Sequence, residues 1–150
     1  MNFPTAPNTV TCVITSALAP RSAEILLLKR GKNVATHPNC WSLLGGFIDV
    51  GKEGHRSAMV REIMEEIGLR VDEVDLDLIG VYRITNDPRY PEVFDTGFHL
   101  QQPLLPEFVP NEEIQEIKWF TYSDAIKNLK VFRHRDILMD WMLQQSRWRS

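Results

Sequence analysis

Residues 45–69 read GGFIDVGKEGHRSAMVREIMEEIGL, and the second half of this stretch carries a helical pattern. From about Gly54 to Ile67, apolar residues recur every three to four positions, which is typical of a helix that buries one side. Gly68 follows the last of them, where a glycine commonly ends a helix. The stretch therefore predicts one amphipathic helix, in which Val60 and Met64 widen a buried stripe of Met59, Ile63 and Ile67.

Beside this apolar stripe the helix carries three acidic residues. At 100° per residue, Glu62, Glu65 and Glu66 fall within an arc of about 100°. Carboxylates three or four positions apart repel each other by roughly 0.2–0.5 kcal/mol per pair, and the C-terminal end of a helix disfavours negative charge further. Arg61 supplies one positive charge, whereas a hard divalent ion such as Mg²⁺ or Mn²⁺ would balance the cluster more fully. An ordinary solvated acidic face is the alternative.

The stretch resembles the motif of the Nudix hydrolase family. That motif runs Gly, five residues, Glu, seven residues, Arg-Glu, an aliphatic residue, any residue, Glu-Glu, any residue, Gly and an aliphatic residue. Residues 61–69 fit it throughout, and Glu53 precedes Arg61 by the right interval. Two positions depart from it: six residues rather than five separate Gly46 from Glu53, and Leu44 stands where a proline is common. We expect the extra residue to bulge in the loop and to leave the helix in register.

The resemblance implies a metal-dependent catalytic site on this helix. Arg61 would orient a glutamate, and Glu53 would hold either a contact at the start of the helix or a water ligand. A general base on a later loop would be Glu113, or else Glu112. Both are equally well interpreted as solvated loop residues, and a glutamate of the motif could itself be the base. The Mg²⁺ or Mn²⁺ ligands would be the carbonyl of Gly46 and the carboxylates of Glu62, Glu65 and Glu66.

The resemblance also implies the Nudix fold, an α/β (α+β) architecture in which a mixed β-sheet is sandwiched between α-helices, in a single domain of residues 1–150. Runs of β-branched and aromatic residues predict the strands, and Gly45-Gly46 is expected to break the third of them. A Ser123-Asp124 cap predicts a short helix through Leu129. The remaining predictions are strands at residues 9–16, 24–29, 41–48, 74–84, 93–101 and 116–122, and a last helix at 135–148 that buries Ile137, Leu138, Trp141 and Met142.

The sequence from Tyr82 to Pro91 is similar to the Asp-Pro-Arg loops of ADP-ribose pyrophosphatase-like family members. Its arginines suit phosphate or ribose oxygens and its tyrosines suit stacking on a base, although a proline-rich connecting turn is the alternative. The substrate-binding residues predicted in this way are Arg30, Phe47, Arg83, Arg89 and Tyr90.

The resemblance therefore implies divalent-metal-dependent hydrolysis of the diphosphate bond in nucleoside diphosphates linked to another moiety. ADP-ribose and related adenine dinucleotides (NADH, FAD and diadenosine polyphosphates) are the expected substrates, and AMP is one product. Two alternatives stay open. One is a house-cleaning pyrophosphohydrolase of nucleoside triphosphates, and the other is a nucleotide-binding module without activity, which would typically lack the carboxylates that this motif retains.

Composition narrows the list of partners. The formal net charge of −3 gives no general attraction to nucleic acid or to an anionic membrane, so we expect no nucleic-acid partner except a dinucleotide-like RNA cap. No stretch approaches the roughly 20 apolar residues that span a bilayer, and Cys12 and Cys40 are expected to be reduced thiols. A cytoplasmic protein that binds a small nucleotide is predicted, and the family resemblance adds a homodimer.

Overall fold

The computed structural model of the protein describes residues 6–17 and 22–148. The bounds of its helices and strands place the motif helix in the middle of the chain, between two groups of strands. None of the helices in the described ranges is long and apolar enough to cross a membrane. The elements are β1 (Asn8–Thr15), β2 (Glu24–Arg30), β3 (Trp41–Ser42), β4 (Leu44–Phe47), α1 (His55–Ile67), β5 (Asp77–Ile84), β6 (Val93–Gln101), β7 (Ile114–Thr121), α2 (Tyr122–Asn128) and α3 (His134–Trp148).

Seven strands in the described ranges form one mixed sheet. β1 lies at its centre, parallel to β6 and antiparallel to β4. β5 pairs antiparallel with β6, and both β3 and β7 pair antiparallel with β2. Between β1 and β2 the paired residues are Thr15 and Ile25 at one end. Beyond this pair the two strands take different partners, because β1 pairs with β4 and β6, and β2 with β3 and β7.

Helices cover both faces of the sheet, as the sequence predicts. On one face α1 packs Met59 and Ile63 into a core that includes Val10 and Leu26. On the other face α3 packs Ile137, Leu138 and Trp141 against a second core, which also contains Val13, Ile25 and Leu27. Burial of apolar side chains on both sides fixes the sheet between the helices. The predicted α+β sandwich is confirmed.

The predicted motif helix is confirmed to within one residue. α1 ends at Gly68, which has a left-handed φ of 70° and donates its N–H to the carbonyl of Met64 at 2.9 Å. A residue with a side chain would be strained at this φ, which explains the glycine. Met64 itself corrects the sequence prediction, because it is 40% exposed instead of joining the buried stripe.

Three predicted boundaries were wrong. Gly45 and Gly46 lie inside β4 and do not break it, because the absence of a side chain lets β4 approach β1; a Cβ on Gly45 would lie 2.2 Å from the carbonyl oxygen of Val10. Residues 73–75 form a 3-10 turn, so β5 begins later than predicted. α2 is capped by Thr121, whose hydroxyl accepts from the Asp124 N–H, and not by the predicted Ser-Asp pair.

Candidate active site

A cleft beside β1 and α1 consists of two connected cavities. The larger, of about 580 Å³, is bordered by the acidic side of α1 and by the loop before β7. The smaller, of about 190 Å³, reaches down to β1 and β6. The two cavities share the residues between them, so a single elongated ligand could occupy both. The shared lining residues are Arg30, Thr36, Gly45, Gly46, Phe47, Glu66 and Arg89.

Arg61 organises the acidic side of α1. Its Nε and Nη2 atoms donate to the carboxylate of Glu53, at 2.9 Å and 2.6 Å for the closest contacts, and its Nη1 donates to Glu62 at 3.0 Å and Glu65 at 3.1 Å. A further bond, from Nη2 to the carbonyl oxygen of Phe47 at 3.0 Å, ties the start of the motif to the helix. This guanidinium touches three glutamates, which is the geometry expected of a residue that orients them.

The extra residue in the motif is absorbed by the loop, as expected. Gly51 takes a left-handed φ of 83°, and the N–H groups of Lys52 and Glu53 both donate to the carbonyl of Asp49. The Glu53 side chain accepts in turn from the Asp49 N–H at 2.8 Å. The hydrogen bonds from Arg61 and from this backbone N–H lower the pKa of Glu53 to about 2. Of the two roles offered for Glu53, the contact at the helix start is therefore the one that the geometry supports.

Gly46 and Glu62 are fitted closely to each other. A Cβ on Gly46 would lie 2.4 Å from a carboxylate oxygen of Glu62, well inside van der Waals contact. Only 13% of the Glu62 side chain is exposed. Burial raises the pKa of Glu62, although Arg61 opposes the shift. The glycine thus leaves room for the acidic group to turn towards the β4 backbone.

Glu66 is the most perturbed acid of the helix. Its carboxylate accepts a hydrogen bond from the N–H of Gly45 at 2.8 Å and lines both cavities. Burial, and then repulsion from Glu62, raise its pKa well above the ordinary value. A carboxyl group in this position is held in its charged form only if a cation comes near.

The described residues contain no group of three or more His, Cys, Asp or Glu side chains arranged as a metal cage. The expectation that α1 gathers three carboxylates for a metal is therefore only partly met: Glu62, Glu65 and Glu66 all line the larger cavity, but Arg61 holds the first two and a backbone N–H holds the third. The oxygens nevertheless suit a hard ion such as Mg²⁺ or Mn²⁺, and because burial raises the pKa of Glu62 and Glu66, a nearby cation would favour their charged forms.

The loop before β7 brings the predicted general base to the larger cavity. Glu112 and Glu113 both line it opposite α1, and both side chains are exposed. The Glu113 carbonyl accepts from the N–H of Gly31 at 2.7 Å, which fixes the loop against the end of β2. A Cβ on Gly31 would lie 1.8 Å from the Glu112 carbonyl oxygen, so this contact requires the glycine.

Three of the predicted substrate-binding residues lie together where the two cavities meet. The Arg89 guanidinium lies 5.1 Å from the centre of the Phe47 ring and forms a 2.9 Å ion pair with Asp87. Arg30 donates to the carbonyl and hydroxyl of Thr36 at 2.8 Å and 3.0 Å. Arg30, Phe47 and Arg89 thereby offer two cations and an aromatic face between the acidic helix and the smaller cavity.

The other aromatic and basic predictions on this loop need correction. Arg83 lies outside the lining of both cavities and pairs with Glu92. Tyr90 packs on Phe47 at a centroid distance of 5.6 Å without lining either cavity. Tyr82 is buried and donates to Asp140 at 2.6 Å, so its ring cannot stack on a base.

Sequence reasoning missed the polar groups of the smaller cavity. Asp95 on β6 is 1% exposed and accepts hydrogen bonds from the hydroxyls of Thr9 and Thr11 on β1. His134, at the start of α3, and Phe132 lie in the lining near it. The available signal was that Asp95 is the single charged residue of segment 93–98. Because burying a charge in a strand is costly, an acidic residue there indicates a specific role.

The family-level comparison agrees with this geometry. A family model of the NUDIX domain matches residues 7–142. Because that match takes in most of the chain and its motif helix forms one wall of the cleft, the chain belongs to the Nudix family.

Individual relatives are more distant. The m7GpppN-mRNA hydrolase NUDT17 of Xenopus laevis is 30% identical over 95 residues, which are 63% of this chain and 31% of that protein, so the chain spans about a third of the length of this curated relative. The NUDIX domain of Shewanella oneidensis NrtR, solved in complex with ADP ribose, superimposes with a TM-score of 0.73 at 19% identity, covering 98% of this chain and 90% of that one. An Ap4A hydrolase of C. elegans, solved as a binary complex, gives a TM-score of 0.68 at 22% identity, covering 94% and 98%. At such identities the two structures show the shared fold.

Proposed function

We propose that this protein is a Nudix pyrophosphohydrolase that cleaves the diphosphate bond of a nucleoside diphosphate linked to another group, with ADP-ribose as the first candidate substrate. One observation carries the proposal: a cavity bordered by acidic side chains shares part of its lining with a smaller cavity, and two arginines and a phenylalanine are among the shared residues. A diphosphate in the larger cavity would place an attached nucleoside in the smaller one.

The acidic cavity supplies the chemistry. Glu62, Glu65, Glu66 and the carbonyl of Gly46 would hold Mg²⁺ or Mn²⁺, which when bound neutralises phosphate charge and lowers the pKa of a bound water. The reaction joins the oxygen of water to one phosphorus and breaks the bond from that phosphorus to the bridging oxygen, which leaves with the other phosphate. From ADP-ribose the products would be AMP and ribose 5-phosphate.

The chain's own residues have distinct parts in this scheme. Arg61 keeps Glu62 and Glu65 turned towards the cleft through its 3.0 Å and 3.1 Å contacts. Arg89 and Arg30 line both cavities and would pair with phosphate or ribose oxygens. Glu113, exposed on the facing loop, would take the proton of the attacking water, and Glu112 beside it is the second choice. Phe47 would pack against the nucleoside.

A second candidate substrate has its own support. The relative from Xenopus laevis is described as an m7GpppN-mRNA hydrolase, and an RNA cap, like ADP-ribose, contains a nucleoside joined through phosphates to a second group. The larger cavity is open enough to admit a chain of phosphates, since its walls include the exposed loop at 111–113. Cap dinucleotide therefore belongs in the same test as ADP-ribose.

The test is a substrate panel with Mg²⁺ or Mn²⁺, scored by the products. ADP-ribose, NADH, FAD, a diadenosine polyphosphate, a cap dinucleotide and the common nucleoside triphosphates would be compared. We expect AMP from ADP-ribose and no pyrophosphate from any triphosphate. Release of pyrophosphate from a triphosphate, with ADP-ribose intact, would replace the proposal by the house-cleaning alternative. Nucleotide binding without turnover of any compound would indicate a binding module.

A further inference from the structure

Asp95 is a buried carboxylate at the inner end of the smaller cavity. It lies near the N-terminal end of the parallel β1–β6 pair, where Thr9 is its partner in the register. The Thr9 hydroxyl donates to Oδ1 at 2.9 Å, and the Thr11 hydroxyl lies 2.7 Å from Oδ2 and 3.0 Å from Oδ1. All three residues belong to the lining of the cavity.

The two hydroxyls leave part of this carboxylate unused. Each threonine has one hydroxyl proton, whereas an ionised carboxylate offers about four acceptor positions. Asp95 forms no ion pair with a Lys, Arg or His side chain of residues 6–17 and 22–148. The nearest candidates in the cavity are engaged elsewhere, because Arg89 pairs with Asp87 and Arg30 with Thr36. The group is thus buried with free acceptor positions and no countercharge in the described chain.

The rest of the cavity is shaped by strained loops. Phe132 lines it with a φ of 46°, and His37 packs edge-on against Phe132 with a φ of 50°. Residues with side chains rarely adopt such angles, and strain of this kind collects at ligand sites. His134 accepts from the N–H of Leu43 through Nδ1 at 3.1 Å, which leaves Nε2 to carry the proton of the neutral ring.

We infer that Asp95 is a specificity-determining residue, which accepts a hydrogen bond from the exocyclic amino group of a purine held in the smaller cavity. This inference rests on the proposed function, which places the nucleoside there. An amino group presents N–H donors to the free carboxylate positions, and a hydrogen bond to a charged group is stronger than one between neutral groups. Adenine and guanine both carry such a group, and the experiment separates them.

A purely structural role would explain the two threonine bonds but not the choice of a carboxylate. Neutral acceptors such as the oxygens of Asn or Thr could bridge the same hydroxyls without the cost of burying a charge. A polar group that is buried for recognition discriminates strongly, because a ligand lacking the complementary donor leaves it without a partner.

The wild-type protein gives the first test, through two pairs of substrates that differ only in the amino group. ADP-ribose is compared with its analogue in which hydrogen replaces the 6-amino group of adenine. GDP-ribose is compared with IDP-ribose, which lacks the 2-amino group of guanine. We expect the amino compound of one pair to have a kcat/KM at least about tenfold higher, with most of the effect on KM, because the base lies away from the reacting phosphates. Equal values within both pairs would overturn the inference while leaving the proposed function intact.

The Asp95→Asn variant gives the second test. Asn keeps one acceptor for the threonine hydroxyls and adds N–H donors that oppose an amino group, so we expect the preference to fall at least about threefold. Asp72→Asn, a change of the same kind at an exposed position, should keep the full preference. An unchanged preference in Asp95→Asn would contradict the assignment.

Failure of the proposed function is recognised separately. If no nucleoside diphosphate ribose is hydrolysed, calorimetry can measure how tightly the wild-type protein binds the corresponding monophosphates. The dissociation constant of AMP is compared with that of purine riboside monophosphate, and the constant of GMP with that of IMP. Tighter binding of an amino compound, lost in Asp95→Asn, would support the inference without the activity. Equal binding within both pairs would refute it.

Discussion

Three carboxylates in and beside the cleft differ in the direction in which folding moves their pKa. Asp95 is buried and Glu66 is half-buried in the cleft, whereas Glu53 lies beside the cleft. Glu53 is held by two nitrogens of Arg61 and one backbone N–H, and these bonds lower its pKa to about 2. Burial raises the pKa of Asp95 to about 6, against threonine bonds that lower it. Burial and the nearby Glu62 raise the pKa of Glu66.

The direction of the pKa shift shows whether the charged form of a carboxylate stabilises or destabilises the native state. Glu53 gains its contacts as the chain folds, so its charged form favours the native state. Glu66 and Asp95 lose water and form no ion pair within the described chain, and the charge of Arg30 offsets only part of the cost for Glu66, so their charged forms disfavour it. Both of them line the cleft, and groups perturbed in this way concentrate at functional sites. The comparison therefore separates a carboxylate beside the cleft that stabilises the fold from two carboxylates in the cleft that are available for function.

The largest effect is expected from Glu66→Gln, which keeps the shape of the side chain but removes its charge. Turnover of the best substrate should fall by roughly a thousandfold, because the charged ligand that we propose for the divalent ion would be lost. Steady-state kinetics measures kcat, and circular dichroism checks that the variant is folded. Glu73→Gln, on the exposed 3-10 turn, is the matched control and should retain full turnover. Unaltered turnover in Glu66→Gln would refute the metal assignment.

Asp95→Asn should stabilise the protein at neutral pH. Since the pKa of Asp95 rises from 3.8 to about 6 on folding, the native state keeps a proton that the unfolded chain releases between these values, and the free energy of unfolding falls as pH rises through this window. Asn does not titrate, so above pH 7 the variant should be more stable by up to about 3 kcal/mol. Urea unfolding at pH 4, 6 and 8 measures the difference, which should be smallest at the lowest pH. A variant less stable than wild type at pH 8 would mean that the charged form of Asp95, like that of Glu53, stabilises the native state.

Added Mg²⁺ should raise the melting temperature of the wild-type protein. A ligand that binds the native state at a hundred times its dissociation constant stabilises it by about 2.7 kcal/mol. The shift should be lost in Glu66→Gln and retained in Glu73→Gln, and differential scanning fluorimetry with and without a chelator measures it. A full shift in Glu66→Gln would place the ion elsewhere.

The smallest effect concerns Glu53, the framework member of the comparison. Because folding lowers its pKa from 4.5 to about 2, its contribution is present above pH 4.5 and is lost as pH falls through about 2. Glu53→Gln should therefore unfold more readily than wild type at neutral pH, with the gap closing on acidification. Chemical unfolding at pH 7 and pH 3 measures this, and an equal gap at both pH values would show that charge is not the cause.

Much of the fold followed from local patterns. The period of α1, the glycine after it and the whole span of β6 agree with the sequence prediction, because each depends on neighbours along the chain. The paired glycines were misread, since they serve the contact of β4 with β1, and such a contact between distant segments leaves no periodic signal.

The site divides in the same way. The sequence determined the acidic side of the helix, the arginine among its glutamates and the family to which the chain belongs, because helical geometry places residues three and four apart on one side. Only the tertiary structure decided that Arg83 and Tyr90 stand outside the cavities, and that Asp95 meets Thr9 and Thr11 across parallel strands. Those residues are 84 or more positions apart in the chain, and only the pairing of β1 with β6 brings the carboxylate to its cavity.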